Sequence, residues 1–173
     1  MRYEAPETKG EAVSLLAMAE GSGRILAGGT DLLVQLRSGV VKPGVVIDIK
    51  KIVETREITA ENGGFRVGAA VTGAELDEHK ALKKLWPGVV EAVELIGSTQ
   101  IQGRASMGGN LCNASPAADS VPALIAAGAQ CHIAGPDGER TLPVEEFCTG
   151  PGVTNLQTGE FLVSFTLPSR PPH

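Results

Sequence analysis

The run Ile96-Gly97-Ser98-Thr99-Gln100-Ile101-Gln102-Gly103-Arg104-Ala105-Ser106-Met107-Gly108-Gly109-Asn110-Leu111-Cys112-Asn113-Ala114-Ser115-Pro116-Ala117-Ala118-Asp119 is polar, rich in glycine and short of hydrophobic period. From Gly97 to Asn113 it reads as a long loop, and such a loop inside a compact chain ordinarily exists to touch something. Its glycine pair Gly108-Gly109-Asn110 has a counterpart in Gly28-Gly29-Thr30-Asp31, and each pair reads as following an extended segment. A glycine pair lets successive backbone N–H groups approach a ligand that a Cβ would hold off, and such groups form an anion-binding concavity. Two pairs so far apart in the chain suggest a diphosphate clasped from both sides.

Working outward, Ala27-Gly28-Gly29-Thr30-Asp31-Leu32-Leu33 joins a short apolar strand, Arg24 to Ala27, to a helix expected over Asp31 to Ser38. N–H groups and helix dipole can meet a phosphate together there. The loop lacks the Lys-Ser/Thr of a Walker loop and the spacing G-x-G-x-x-G. Spacing alone leaves phosphate binding and a plain tight turn both open.

Upstream, Thr8-Lys9-Gly10-Glu11 has capping-box spacing, and Ala12, Val13, Leu15, Leu16 and Ala19 recur at helical period, so a helix is expected from Thr8 to Glu20. Val45 to Ile49 is a β-branched strand. Beyond this α/β unit the pattern changes to an antiparallel sheet. Asn62-Gly63 joins the strands 57–60 and 65–69 in a hairpin, Gly73 to Lys80 and Gly88 to Ile96 read as helices, and another helix is expected over Asp119 to Ala127. Strands are expected at 129–134, 140–142 and 160–165, and the tail Pro168 to His173 cannot be regular. The fold class is therefore α+β, with lobes expected at residues 1–56 and 57–173.

The chain of 173 residues carries 15 basic and 20 acidic side chains, with neither sign in a long block, which argues against nucleic acid as a partner. No apolar run approaches the roughly 18 residues a membrane span needs, and the N-terminus lacks a signal-peptide core, so cytoplasmic residence is expected. Cys112, Cys131 and Cys148 have no metal-ligand spacing and are expected to be inert thiols rather than a metal site. Glycine is the compositional outlier, with 22 residues against six aromatics.

The run from Ile96 to Asp119 resembles the FAD-binding subunit of the molybdenum hydroxylases, the group of carbon monoxide dehydrogenase and xanthine dehydrogenase. The family motif has the form R-N-x-(A/G)-(T/S)-(L/I/V)-G-G-N-(L/I)-x-x-(A/G)-(S/D)-P-x-x-D, from which this chain departs at Gln102-Gly103. Tyr3-Glu4-Ala5-Pro6, Ala27-Gly28-Gly29-Thr30-Asp31-Leu32, Phe147-x-x-Gly150 and the stretch from Thr154 to Leu162 also fall in family order. The resemblance implies a two-lobed FAD-binding fold of the vanillyl-alcohol-oxidase type; family members continue past the last strand into a C-terminal domain of about a hundred residues, and this sequence is expected to stop before it. It also implies cofactor contacts at Ala27, Gly28, Gly29, Thr30 and Asp31 from one lobe, and at Ser106, Met107, Gly108, Gly109 and Asn110 from the other. Asn113 and Asp119 would anchor cofactor hydroxyls, and Leu162 would pack near the flavin rings. Partners would be an iron–sulphur small subunit and a molybdopterin large subunit, with electrons passing from the clusters through FAD to an external acceptor.

Plainer roles stand beside these. Asp119 could be a helix N-cap, Asn110 and Asn113 turn formers, Cys112 a packed thiol, His132 structural, His79 solvated and Trp86-Pro87-Gly88 a packing corner. No acid/base pair or nucleophile constellation is evident, so no catalytic side chain is assigned. The alternative functions are a flavin-free scaffold that only docks to partner chains, and a stand-alone flavoenzyme of the same fold.

Overall fold

Residues 1–170 are described by a computed structural model. The N-terminal part alternates strand and helix: β1 (Arg2–Glu4), α1 (Lys9–Met18), β2 (Gly23–Leu26), α2 (Leu32–Arg37) and β3 (Val45–Asp48). β1 and β2 flank β3, and both run parallel to it. β3 is buried at every position, as a β-branched central strand should be. The Thr8 capping box forms, with Thr8 Oγ1 accepting from Glu11 N at 3.2 Å and Glu11 Oε2 accepting from Thr8 N at 3.3 Å. α2, in contrast, buries none of its residues, so its leucines form no core face.

Two short 3-10 turns lead to β4 (Ile58–Glu61) and β5 (Gly64–Gly68). Asn62 at φ 50° and Gly63 at φ 77° supply the two left-handed residues of a type I′ hairpin turn. Helices α3 (Gly73–Glu78), α4 (Lys80–Leu85), α5 (Pro87–Glu94), α6 (Thr99–Gln102), α7 (Met107–Cys112) and α8 (Val121–Ala126) follow. The chain then forms β6 (Gln130–Gly135), β7 (Gly138–Pro143), a small hairpin of β8 (Cys148–Gly150) and β9 (Val153–Thr154), and β10 (Phe161–Leu167). The larger sheet is antiparallel in the order β4-β5-β10-β6-β7, so the last strand in sequence is central in space.

β10 joins two cores. Leu162, Phe165 and Leu167 belong to the large core beneath α3, α5, α7 and α8. Phe161 and Val163 pack instead with Ala12, Leu16, Val45, Ile47, Ile49 and Ile52 around the parallel sheet. Each buried Val, Leu, Ile or Phe among them contributes about 1.5–3 kcal/mol, so apolar contact holds the parallel sheet to the antiparallel one.

Several expectations need correction. The segment 97–113 is not a loop: α6 and α7 occupy most of it, and the second glycine pair lies inside α7 rather than after a strand. Ser106 caps α7 by accepting from Gly109 N at 3.1 Å, and Met107 and Leu111, four apart, are buried together. Tertiary packing there overrides the low helix propensity of glycine. β1 and the β8-β9 hairpin add strands that are too short to carry a period in the sequence. His79 is half-buried, caps α4 by accepting from Leu82 N at 3.1 Å and meets Phe65 edge-on. Trp86 does form a corner: it precedes α5, and its Nε1 donates to Pro168 O at 2.9 Å. The tail is irregular as far as Arg170, and Pro171, Pro172 and His173 lie outside the described residues.

Paired carboxylates give the fold an acid limit. The Arg140 guanidinium, bonded to both Glu160 oxygens at 2.7 and 2.8 Å, holds that carboxyl below its usual range despite burial. For Asp48, burial pushes upward, but hydrogen bonds from Lys50 and Tyr3 outweigh it and the net shift is downward. A carboxyl with a lowered folded pKa contributes stability that is fully present above its unfolded value and is lost as pH falls toward the folded one. The melting temperature should therefore hold to about pH 5 and fall below about pH 4. Thermal melts of the wild type and Glu160→Gln check this, and the variant should show the flatter acid limb.

Candidate functional site

A cleft of about 530 Å³ opens between the parallel sheet and the antiparallel sheet. That volume lies within the roughly 300–1,000 Å³ of small-molecule sites. One wall is the loop from Ala27 to Leu32, and the other is Ala105, Ser106 and α7, with Phe161 and Leu162 of β10 also lining it.

In the first wall, Gly29 has φ 84°, a conformation that favours glycine. Gly28 is required for a different reason. A Cβ there would stand 2.0 Å from the Arg104 carbonyl oxygen, so this loop packs backbone to backbone against the segment before α7. The N–H groups of Gly28, Gly29, Thr30 and Asp31 donate to no protein acceptor among the described residues. Four consecutive free donors on one cleft wall form a concavity suited to an anion. α2 is only six residues long, and Asp31 at its start makes no capping bond, so these donors rather than a long helix dipole define the wall.

In the second wall the two glycines differ. A Cβ on Gly108 would lie 2.3 Å from the Ala69 carbonyl oxygen, so Gly108 is needed for α7 to pack on the end of β5. A Cβ on Gly109 would meet only Ser106 Oγ, at 3.3 Å, and Gly109 has no left-handed φ. Neither packing nor backbone geometry requires glycine at 109, and its open side belongs to the cleft lining.

The asparagines are not turn formers. Asn110 lies within α7, and its Oδ1 accepts from Ser120 N at 3.2 Å and Ser120 Oγ at 2.7 Å. Asn113 ends the helix, and its Oδ1 accepts from Gln35 Nε2 at 3.3 Å, tying α2 to α7. With both carbonyl oxygens engaged, each side chain retains its NH₂ donors for a ligand oxygen.

The structure brings together Ala27, Gly28, Gly29, Thr30, Asp31, Ser106, Gly108, Gly109, Asn110, Asn113 and Leu162 around one cleft. It does not bring Met107 or Asp119 to the lining. The Met107 side chain is buried in the large core, where it anchors α7. Asp119 is exposed, and the residue at the start of α8 is Ser120, turned inward by Asn110. Cys131 is fully buried and burial pushes its thiol up, while exposed Cys112 lines the cleft. Among the described residues no group of three or more His, Cys, Asp or Glu side chains is placed to hold a metal ion. Nor is any helix there long and apolar enough to cross a membrane.

Reasoning from the sequence missed Tyr3, Asp48 and Lys50. Lys50 Nζ donates to the Ala27 carbonyl at 3.0 Å and to Asp48 Oδ1 at 2.7 Å, and Tyr3 Oη donates to Asp48 Oδ2 at 2.6 Å. The available signal was Asp48 itself, a carboxylate inside an otherwise apolar buried strand.

Comparison with known proteins places the chain in a family. The family described as FAD binding domain in molybdopterin dehydrogenase matches residues 1–170. The chain is 36% identical over 170 residues to the xanthine dehydrogenase FAD-binding subunit of Escherichia coli O157:H7, covering 98% of this chain and 58% of that one. It is 32% identical over 167 residues to the carbon monoxide dehydrogenase medium chain of Hydrogenophaga pseudoflava, covering 96% and 58% respectively. A solved carbon monoxide dehydrogenase structure from the same organism superimposes with a TM-score of 0.94 at 32% identity, covering 99% of this chain and 60% of that one. The chain thus spans about 58% of the length of the curated relatives it matches. By fold and sequence it belongs to the FAD-binding domains of the molybdopterin dehydrogenase family.

Proposed function

We infer that the cleft takes FAD, with the diphosphate between the Gly28–Asp31 loop and α7, and that the chain is the FAD-binding part of a multi-subunit molybdenum hydroxylase. The observation that carries this reading is the row of four N–H groups from Gly28 to Asp31 without protein acceptors, set across the cleft from a glycine that neither packing nor φ requires. Residues 1–56 and 57–170 act as the two lobes of the clasp.

On this reading the four N–H groups bind the diphosphate oxygens, and Asn110 and Asn113 present amide donors to phosphate or sugar oxygens. Gly109 leaves room for the ligand, while Ala27 and Leu162 supply apolar surface that excludes water. Bound FAD would supply two-electron redox chemistry between the iron–sulphur clusters of a small subunit and an external acceptor. Substrate oxidation belongs to a molybdopterin large subunit, and the assembly resides in the cytoplasm. Titrating the full-length subunit with FAD tests this. The expected result is one flavin per chain, with a yellow absorbance bleached by dithionite. Failure to retain flavin at saturating FAD contradicts it.

A further inference from the structure

We propose that Lys50 is a positioning residue for the flavin-phosphate loop, braced by Asp48 and Tyr3 and acting through the Ala27–Gly28 peptide. The proposal rests on the FAD reading above and adds to it the group that aims the donors. In a trans peptide the carbonyl and the following N–H point in opposite directions. Fixing the Ala27 oxygen therefore fixes where the Gly28 N–H points. Lys50 Nζ holds that oxygen at 3.0 Å, while Arg104 presses on Gly28 from the other lobe. An ammonium on the carbonyl also polarises the peptide and strengthens its N–H as a donor.

The brace is built to hold Lys50 still. Asp48 accepts from Lys50 Nζ at 2.7 Å, from the Lys50 backbone N–H at 3.0 Å and from Tyr3 Oη at 2.6 Å, and its side chain is only 11% exposed. β3 supplies Asp48 and β1 supplies Tyr3, so the parallel pairing of these strands assembles the group. Tyr3, Asp48 and Lys50 are all outside the cleft lining, so their influence passes through the backbone.

The test uses the full-length subunit with Lys50→Met, Lys50→Arg and Tyr3→Phe. FAD affinity is read by flavin fluorescence, and amide exchange at Gly28–Asp31 is read without flavin. Lys50→Met should weaken FAD by about tenfold and speed exchange in this loop alone, Lys50→Arg should recover most of the loss, and Tyr3→Phe should weaken FAD by about threefold. Wild-type affinity and exchange in Lys50→Met overturn the proposal. If Lys50→Met does not fold, Tyr3→Phe decides: faster loop exchange supports the brace and unchanged exchange overturns it. A wild type that retains no FAD contradicts the function proposed above, whereas the exchange readout still judges the brace.

Discussion

Leucine at position 109 is expected to weaken FAD binding by at least about 100-fold while leaving the apoprotein folded and its melting temperature within a few degrees of wild type. Gly109 lies inside α7, where glycine costs about 0.8–1 kcal/mol relative to a good helix former. Nothing in the fold offsets that cost, because φ there is not left-handed and a Cβ would meet only Ser106 Oγ, at 3.3 Å. The leucine side chain would instead fill the space between α7 and the Gly28–Asp31 loop. Helix propensity and loss of ligand space thus act in opposite directions, one on stability and the other on binding. FAD titration and a thermal melt of the same sample separate them. An unchanged affinity in folded Gly109→Leu would mean that FAD does not lie against α7, whereas no measurable affinity in either protein would favour a scaffold without flavin.

The neighbouring residue should behave in the opposite way. Valine at position 108 is expected to destabilise the subunit by about 3 kcal/mol or more, lowering the melting temperature by roughly 10 °C. Its Cβ would stand 2.3 Å from the Ala69 carbonyl oxygen and 2.7 Å from the Ala69 Cβ. Relief requires moving α7 off the end of β5, which disturbs the buried Met107 and Leu111. Denaturant unfolding measures this loss directly. A stable Gly108→Val would mean that α7 does not rest on β5 as described.

These two glycines also show how far the sequence could be read. Both stand in one quoted motif, yet only tertiary packing separates the one that builds the fold from the one that leaves space. The same holds for Gly28, whose missing Cβ is explained by Arg104, 76 positions further along the chain. Features fixed by local chemistry were legible: the capping box at Thr8, the Asn62-Gly63 turn and the buried strand β3. α7 was missed because its two glycines hide a Met107–Leu111 spacing that only burial makes meaningful. β1 was missed because three residues carry no period, and its partner β3 lies about 40 positions away. The Tyr3–Asp48–Lys50 group depends on that same pairing, so it became visible only once the sheet was assembled. Asp119 fits the family motif in sequence but lies exposed, because Ser120 takes the inward position through Asn110.

On the function proposed above, the free N–H groups of Gly28, Gly29, Thr30 and Asp31 receive the FAD diphosphate. Hydrogen–deuterium exchange of the full-length subunit with and without FAD tests it most directly. Exchange should slow in peptides spanning residues 27–33 and 105–113, and ADP should protect the first of these while riboflavin should not. Protection confined to other segments, or no protection at Gly28–Asp31 under saturating FAD, would contradict the account.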